Sequence, residues 1–155
     1  MKTKYLILCE RIKEEMIFIS RSIEKIEKAW EKAETCSDES YYDSSALNLH
    51  HMYNGIEKIF EQIASIVDES VPEGKNWHRD LLLQMGYEVK EIRPTVISES
   101  LLHTLDEFRS FRHIVRNVYT FNYDLEKMKK LIVQLPKLKE KLDIEMEEFC
   151  QFLIL

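Results

Sequence analysis

The chain has 155 residues, 45% of them hydrophobic and 32% charged, with a formal net charge of −6. Three glycines and three prolines are too few for the frequent tight turns of an all-β fold. An acidic chain also does not hold long duplex DNA by general attraction, so a polyanionic ligand has to be met by a local cationic patch.

Tyr5, Leu8, Ile12, Met16, Ile19, Ile23, Ile26, Trp30 and Ala33 recur every three or four residues with charged residues between them. This spacing predicts one long amphipathic helix with a single buried stripe. The stretch TCSDES (Thr35–Ser40) supplies turn and capping chemistry. A second helix is predicted from Ser40 to Asp68, where Leu49, Met52, Tyr53, Ile56, Ile59, Phe60, Ile63, Ile66 and Val67 make a wide apolar band. Pro72 and Gly74 break it. A short third helix is expected over Trp77–Met85, stopping at Gly86.

Gly86–Ser100 reads as an irregular connection set extended by Pro94. Ser98 or Ser100 is placed to cap a fourth helix running to Tyr119, and Asp124 to cap a last one over Leu125–Phe152, bent at Pro136. The expectation is an all-α, single-domain bundle of five helices with antiparallel neighbours.

Cys9, Cys36 and Cys150 are odd in number and show no CxxC spacing. They are read as free thiols, with no disulfide framework and no metal site expected. Tyr5–Cys9 is too short for the core of an export signal, and Phe149–Leu155 falls far below the roughly 20 residues of a membrane span. The latter is read as a tail packed on the bundle or on a partner. Carboxylates are expected on exposed helix faces, with no acid–base pair among them.

The chemistry concentrates in LDEFRSFRHIVRNVYTFNY (Leu105–Tyr123). At about 100° per residue, Leu101, Leu105 and Phe108 share the direction later taken by Arg112, Arg116 and Tyr119. Arg109, His113 and Asn117 fan out beside them, while Phe111, Ile114, Val115 and Val118 move to an arc about 110° away. The buried face rotates, and the former core face turns cationic. A solvated basic face is the plain account. Yet such a face on an acidic protein mixes Glu with Lys, and this run contains no Lys from Arg109 to Tyr123. Arginine's planar fork suits phosphate, and Tyr and His can stack on or bond a base or sugar. On the second helix, His50 and Asn54 share a face at i, i+4 and are placed to support that cluster, although a structural role, capping or bonding a neighbouring backbone, suits them better. His50 and His51 point about 100° apart and make poor co-ligands. His78 is read as part of a helix start and Trp77 as a core or interface anchor.

RHIVRNVY (Arg112–Tyr119) resembles the signature of the HEPN-fold proteins, in particular HepT-like ribonuclease toxins: an Arg, a polar residue, a short spacer, a His, one residue and a Tyr. Here Arg112 takes the Arg slot, His113 the polar slot, Asn117 the slot usually held by His, and Tyr119 the last. Ser44–Ala64, Pro72–Met85 and Arg93–Ser100 also resemble blocks of one HepT-like subfamily, so the resemblance covers Leu6–Leu125 in order.

It implies a cytoplasmic, metal-independent endoribonuclease without cofactor, working as a homodimer and paired with an MNT-type nucleotidyltransferase antitoxin. Arg112 would hold the scissile phosphate, with Arg109, Arg116 and His50 gripping the RNA. Asn117 can orient a phosphate but cannot exchange a proton near neutral pH, which leaves His113, beside two cations that favour its neutral base form, as the stand-in. The alternative implied is a weak or inactive binding partner adenylylated at Tyr119, and a plain helical scaffold stands behind both.

Overall fold

A computed structural model describes residues 2–116 and 124–155, and the side chains of residues 2–111 and 124–155. The elements are α1 (Lys2–Cys36), α2 (Ser40–Ile63, continued by a π-helical turn over Ala64–Asp68), α3 (Trp77–Met85), α4 (Glu99–Arg116), α5 (Leu125–Val133) and α6 (Leu135–Ile154). The fold is all-α, and the described residues hold only one isolated bridge of extended type, Val89 to Arg93.

The apolar spacing does what it predicts in α1, where Leu8, Ile12, Ile19, Ile23, Ile26 and Ala33 are all buried. α2 returns antiparallel beside it: Lys58 meets Glu15 at 3.4 Å, and the Trp30 and Tyr42 rings meet edge-on at 5.3 Å. Gly55 lets the two backbones come close, because a Cβ there would sit 3.0 Å from Ile19 Cγ1 and 3.4 Å from Phe18. An alanine gains helix propensity that offsets this crowding, whereas a leucine has nowhere to go. Gly55→Leu is expected to lower stability by about 1–3 kcal/mol, measured as a shift in the urea unfolding midpoint.

The end of α2 widens into its π turn and stops at Glu69, whose φ of 54° is left-handed. Ser70 N–H then donates to the Ala64 carbonyl at 3.0 Å. α3 starts and ends where the sequence places it, although Gly86 caps it in the right-handed region rather than the left-handed one. The connection that follows is held from inside. Arg93, 3% exposed, gives Nε–H to Asp68 Oδ1 at 2.5 Å and Nη2–H to Asp68 Oδ2 at 2.7 Å. Nη2 also donates to the Gln84 carbonyl, and Nη1 to the carbonyls of Tyr87 and Pro94. Five donor directions meet five acceptors, which is the condition for burying a guanidinium at tolerable cost.

Ser98 begins α4 as expected, its Oγ accepting from Leu101 N–H at 3.2 Å and donating to Glu145 of α6 at 2.8 Å. α4 and α6 run antiparallel, since Lys141 reaches Ser100 while Gln134 reaches Glu107. Asp124 caps α5 through Lys127 N–H at 3.1 Å. The single last helix predicted by the spacing is in fact two, so the described residues hold six α-helices rather than five. Pro136 lies in the first turn of α6, where it has no N–H to give to the carbonyl four positions earlier and its ring crowds that carbonyl in a continuous helix, and the break falls at Gln134. The C-terminal stretch packs on the bundle: Phe149, Cys150 and Leu153 are buried, and Cys9 Sγ lies 3.9 Å from the Cys150 carbonyl. All three cysteines are free, and burial pushes the Cys150 thiol well above its ordinary pKa. No described helix is long and apolar enough to cross a membrane.

Candidate functional site

α4 carries the residues that the sequence singles out. Leu101, Leu105, Phe108 and Phe111 are buried. Phe111 lies about 80° round the helix from Leu101, so the core face has begun to turn by the last described side chain. The side chains of Arg112, His113 and Arg116 lie outside the described residues, as do Asn117 and Tyr119 altogether and the expected extension of the helix to Tyr119. Arg109 is described. It is mostly covered and gives Nε–H to Asp106 at 2.8 Å, one turn earlier. One of the cations predicted to face RNA therefore has a carboxylate partner on its own helix.

Two grooves flank the described part of α4. A cavity of about 790 Å³ between α3 and α4 is lined by Arg79, Ser98, Ser100, His103 and Asp106 among others. A second, of about 500 Å³, lies between α4 and α5 and includes His103, Asp106, Glu107, Lys127 and Lys130. Both mix the two signs of charge. Neither is a polyanion cleft in its own right.

α2 supplies the most informative side chains. His50, Asn54, Glu57 and Glu61 fall within about 60° of one another on its wheel and make a polar stripe beside its apolar band. Glu57 is buried and the other three are half-buried, while His51 is exposed. His50, Glu57 and Glu61 are each engaged in polar or ring contacts, as is Tyr53 beside them. At Glu57 the stripe meets the start of α3: His78 Nδ1 lies 2.6 Å from Glu57 Oε2. Trp77 stacks on the same imidazole, with ring centroids 3.6 Å apart and 32° between planes. α3 begins at this level, so Asn54 and His50 extend past it.

Glu57 corrects the sequence expectation that the carboxylates sit on exposed faces, and Asp68 corrects it again. Both occupy polar positions flanking an apolar stripe, which a helical wheel assigns to solvent. Their partners lie 21 and 25 residues downstream, on elements whose docking no local pattern encodes. His78 is the residue the sequence reading left among the caps. The only hint was its place beside Trp77, an aromatic that packs against the core.

A bundle in which α2, paired antiparallel with α1, packs against a fourth helix that carries an Arg-rich segment is compatible with the HEPN type. The family comparison agrees: the model of the family described as HepT-like protein matches residues 44–153, more than half of the chain. The chain belongs to the HepT-like family. The match begins within α2 and continues to the end of α6, so it reaches past the Leu125 limit of the resemblance read from the sequence and omits α1. A search of curated proteins found no match, and neither did a search of solved structures.

Proposed function

We propose that this protein is a HepT-like ribonuclease toxin, a single-domain, metal-independent endoribonuclease of the cytoplasm controlled by an MNT-type nucleotidyltransferase antitoxin. The observation that supports the reading most is the family match, which spans the whole of RHIVRNVY (Arg112–Tyr119). In this reading Arg112 neutralises the scissile phosphate as charge develops on it. Asn117 orients that phosphate, and His113 takes a proton from the ribose 2′-hydroxyl, the group that marks the substrate as RNA. Arg116 and His50 extend the grip along the backbone, and Arg109 joins them while bonded to Asp106. Two copies of the chain facing each other across a symmetric cleft double the local positive field, which lets a chain of net charge −6 capture a polyanion.

A second reading is favoured by one observation, the Asn at the usual His position. In it the chain is a weak or inactive partner that the nucleotidyltransferase adenylylates at Tyr119, adding phosphate charge that repels RNA from Arg112 and Arg116. Incubation of the purified protein with total RNA in excess EDTA separates the two. Cleavage that falls by about 10²–10³-fold in Arg112→Ala is the expected result, the loss typical of removing one donor to a developing oxyanion. No cleavage by either protein would favour the partner reading instead.

A further inference from the structure

Strand scission through the 2′-hydroxyl requires two proton transfers. The 2′-oxygen–phosphorus bond forms while the phosphorus–5′-oxygen bond breaks. One proton leaves the 2′-hydroxyl and another must arrive on the departing 5′-oxygen, giving a 2′,3′-cyclic phosphate and a 5′-hydroxyl end. The segment from Leu105 to Tyr123 contains a single imidazole, His113, and Asn117 exchanges no proton. A second proton-transfer group therefore has to come from elsewhere.

We propose that His78, held by the buried carboxylate of Glu57, is that second group and donates the proton to the 5′-oxygen. The inference rests on the ribonuclease reading above. With Glu57 ionised, Nδ1–H of His78 donates to Oε2 across 2.6 Å, which fixes the tautomer and turns Nε2 away from Glu57. The carboxylate is 6% exposed, and it balances the positive charge that the ring carries while it holds the proton to be delivered. Trp77 stacked on the ring limits its rotation.

The place in the fold suits the task. α3 runs antiparallel to α4: a Cβ on Gly86 would meet Leu102 at 3.1 Å, and Arg79 lines the same groove as Asp106. At about 1.5 Å per residue, His78 lies about 12 Å back along α3 from Gly86, and the same distance along α4 from Leu102 reaches about Ser110. That is within a helical turn of Arg112 on a helix that continues to Arg116. The imidazole of His78 is 13% exposed, so it is sheltered without being sealed. His51, by contrast, is exposed, and His103 lies near the start of α4, at the level of Gly86.

His78→Asn gives a clean test. The Asn amide nitrogen takes roughly the place of Nδ1 and keeps the bond to Glu57, while Nε2 is lost. On an RNA oligonucleotide in EDTA, kcat is expected to fall about 10²-fold or more with KM unchanged and the urea midpoint preserved. On a ribonucleoside 3′-aryl phosphate, whose nitrophenolate leaving group needs no proton, His78→Asn is expected to match the wild type. Glu57→Gln keeps an acceptor for Nδ1–H and guards against a folding defect. It is expected to slow RNA cleavage about 10-fold while sparing the aryl ester. RNA cleavage by His78→Asn within threefold of wild type, or equal losses on both substrates, would overturn the assignment. Absence of RNA cleavage by the wild type would bring down the ribonuclease reading itself, a result separable from either.

Discussion

Arg93→Ala is expected to lower the free energy of unfolding by about 3–5 kcal/mol, because it strands a buried carboxylate rather than merely deleting a contact. Asp68 is 4% exposed on its side chain and has the Arg93 fork as its cationic partner, with Gln84 Nε2 as a further donor at 2.8 Å. Removing the fork also orphans the carbonyls of Tyr87 and Pro94. At about 2–4 °C per kcal/mol for a chain of this size, the melting temperature should drop by about 6–20 °C. Arg93→Met combined with Asp68→Leu should recover most of the loss, since an apolar pair needs no desolvation of charge. A single variant within 1 kcal/mol of wild type would show that water reaches this pair in solution. The network matters for function through geometry. It ties the end of α2, the end of α3 and the connection into α4 together, so it sets where α4 starts.

That network also marks the limit of what a linear reading could deliver. The helices were legible because their apolar residues recur at helical spacing: Leu8 to Ala33 foretell α1, and α3 is bounded by Asn76 and Gly86 where the turn residues put it. Ser98 and Asp124 cap as their chemistry suggests. The split between α5 and α6 was half-legible. Pro136 announces a disturbance, but whether a long helix bends or breaks depends on packing around Gln134. The buried charges were not legible. Glu57, Asp68 and Arg93 look like ordinary surface residues, and only the docking of α3 on α2 brings each beside its partner. The candidate site divides along the same line. The Arg-rich run on α4 is visible as composition, whereas the carboxylate–imidazole pair exists only once residues 21 apart in sequence have met.

Asn117→His should speed metal-independent RNA cleavage by about 10²-fold, the lower end of what a positioned acid–base group contributes. The reasoning is that the wild-type chain keeps phosphate-holding cations but has Asn where the family signature has a proton-exchanging ring. An imidazole at that position would add proton transfer to a site already charged for phosphate. The gain should vanish in Asn117→His combined with Arg112→Ala, because proton transfer has little to act on when the phosphate is not held. It should also fall as pH drops below about 6, where a typical imidazole is protonated and no longer serves as a base. The size of the gain reads out the architecture. A large increase means that an imidazole at 117 is better placed than His113 to take the 2′-hydroxyl proton, and retained sensitivity to His78→Asn then tells whether α3 supplies the proton for the 5′-oxygen. No increase, in a protein whose Arg112→Ala variant has lost cleavage, would mean that position 117 does not face the reacting phosphate. The family's spacing would then be carried by other residues of the same helix.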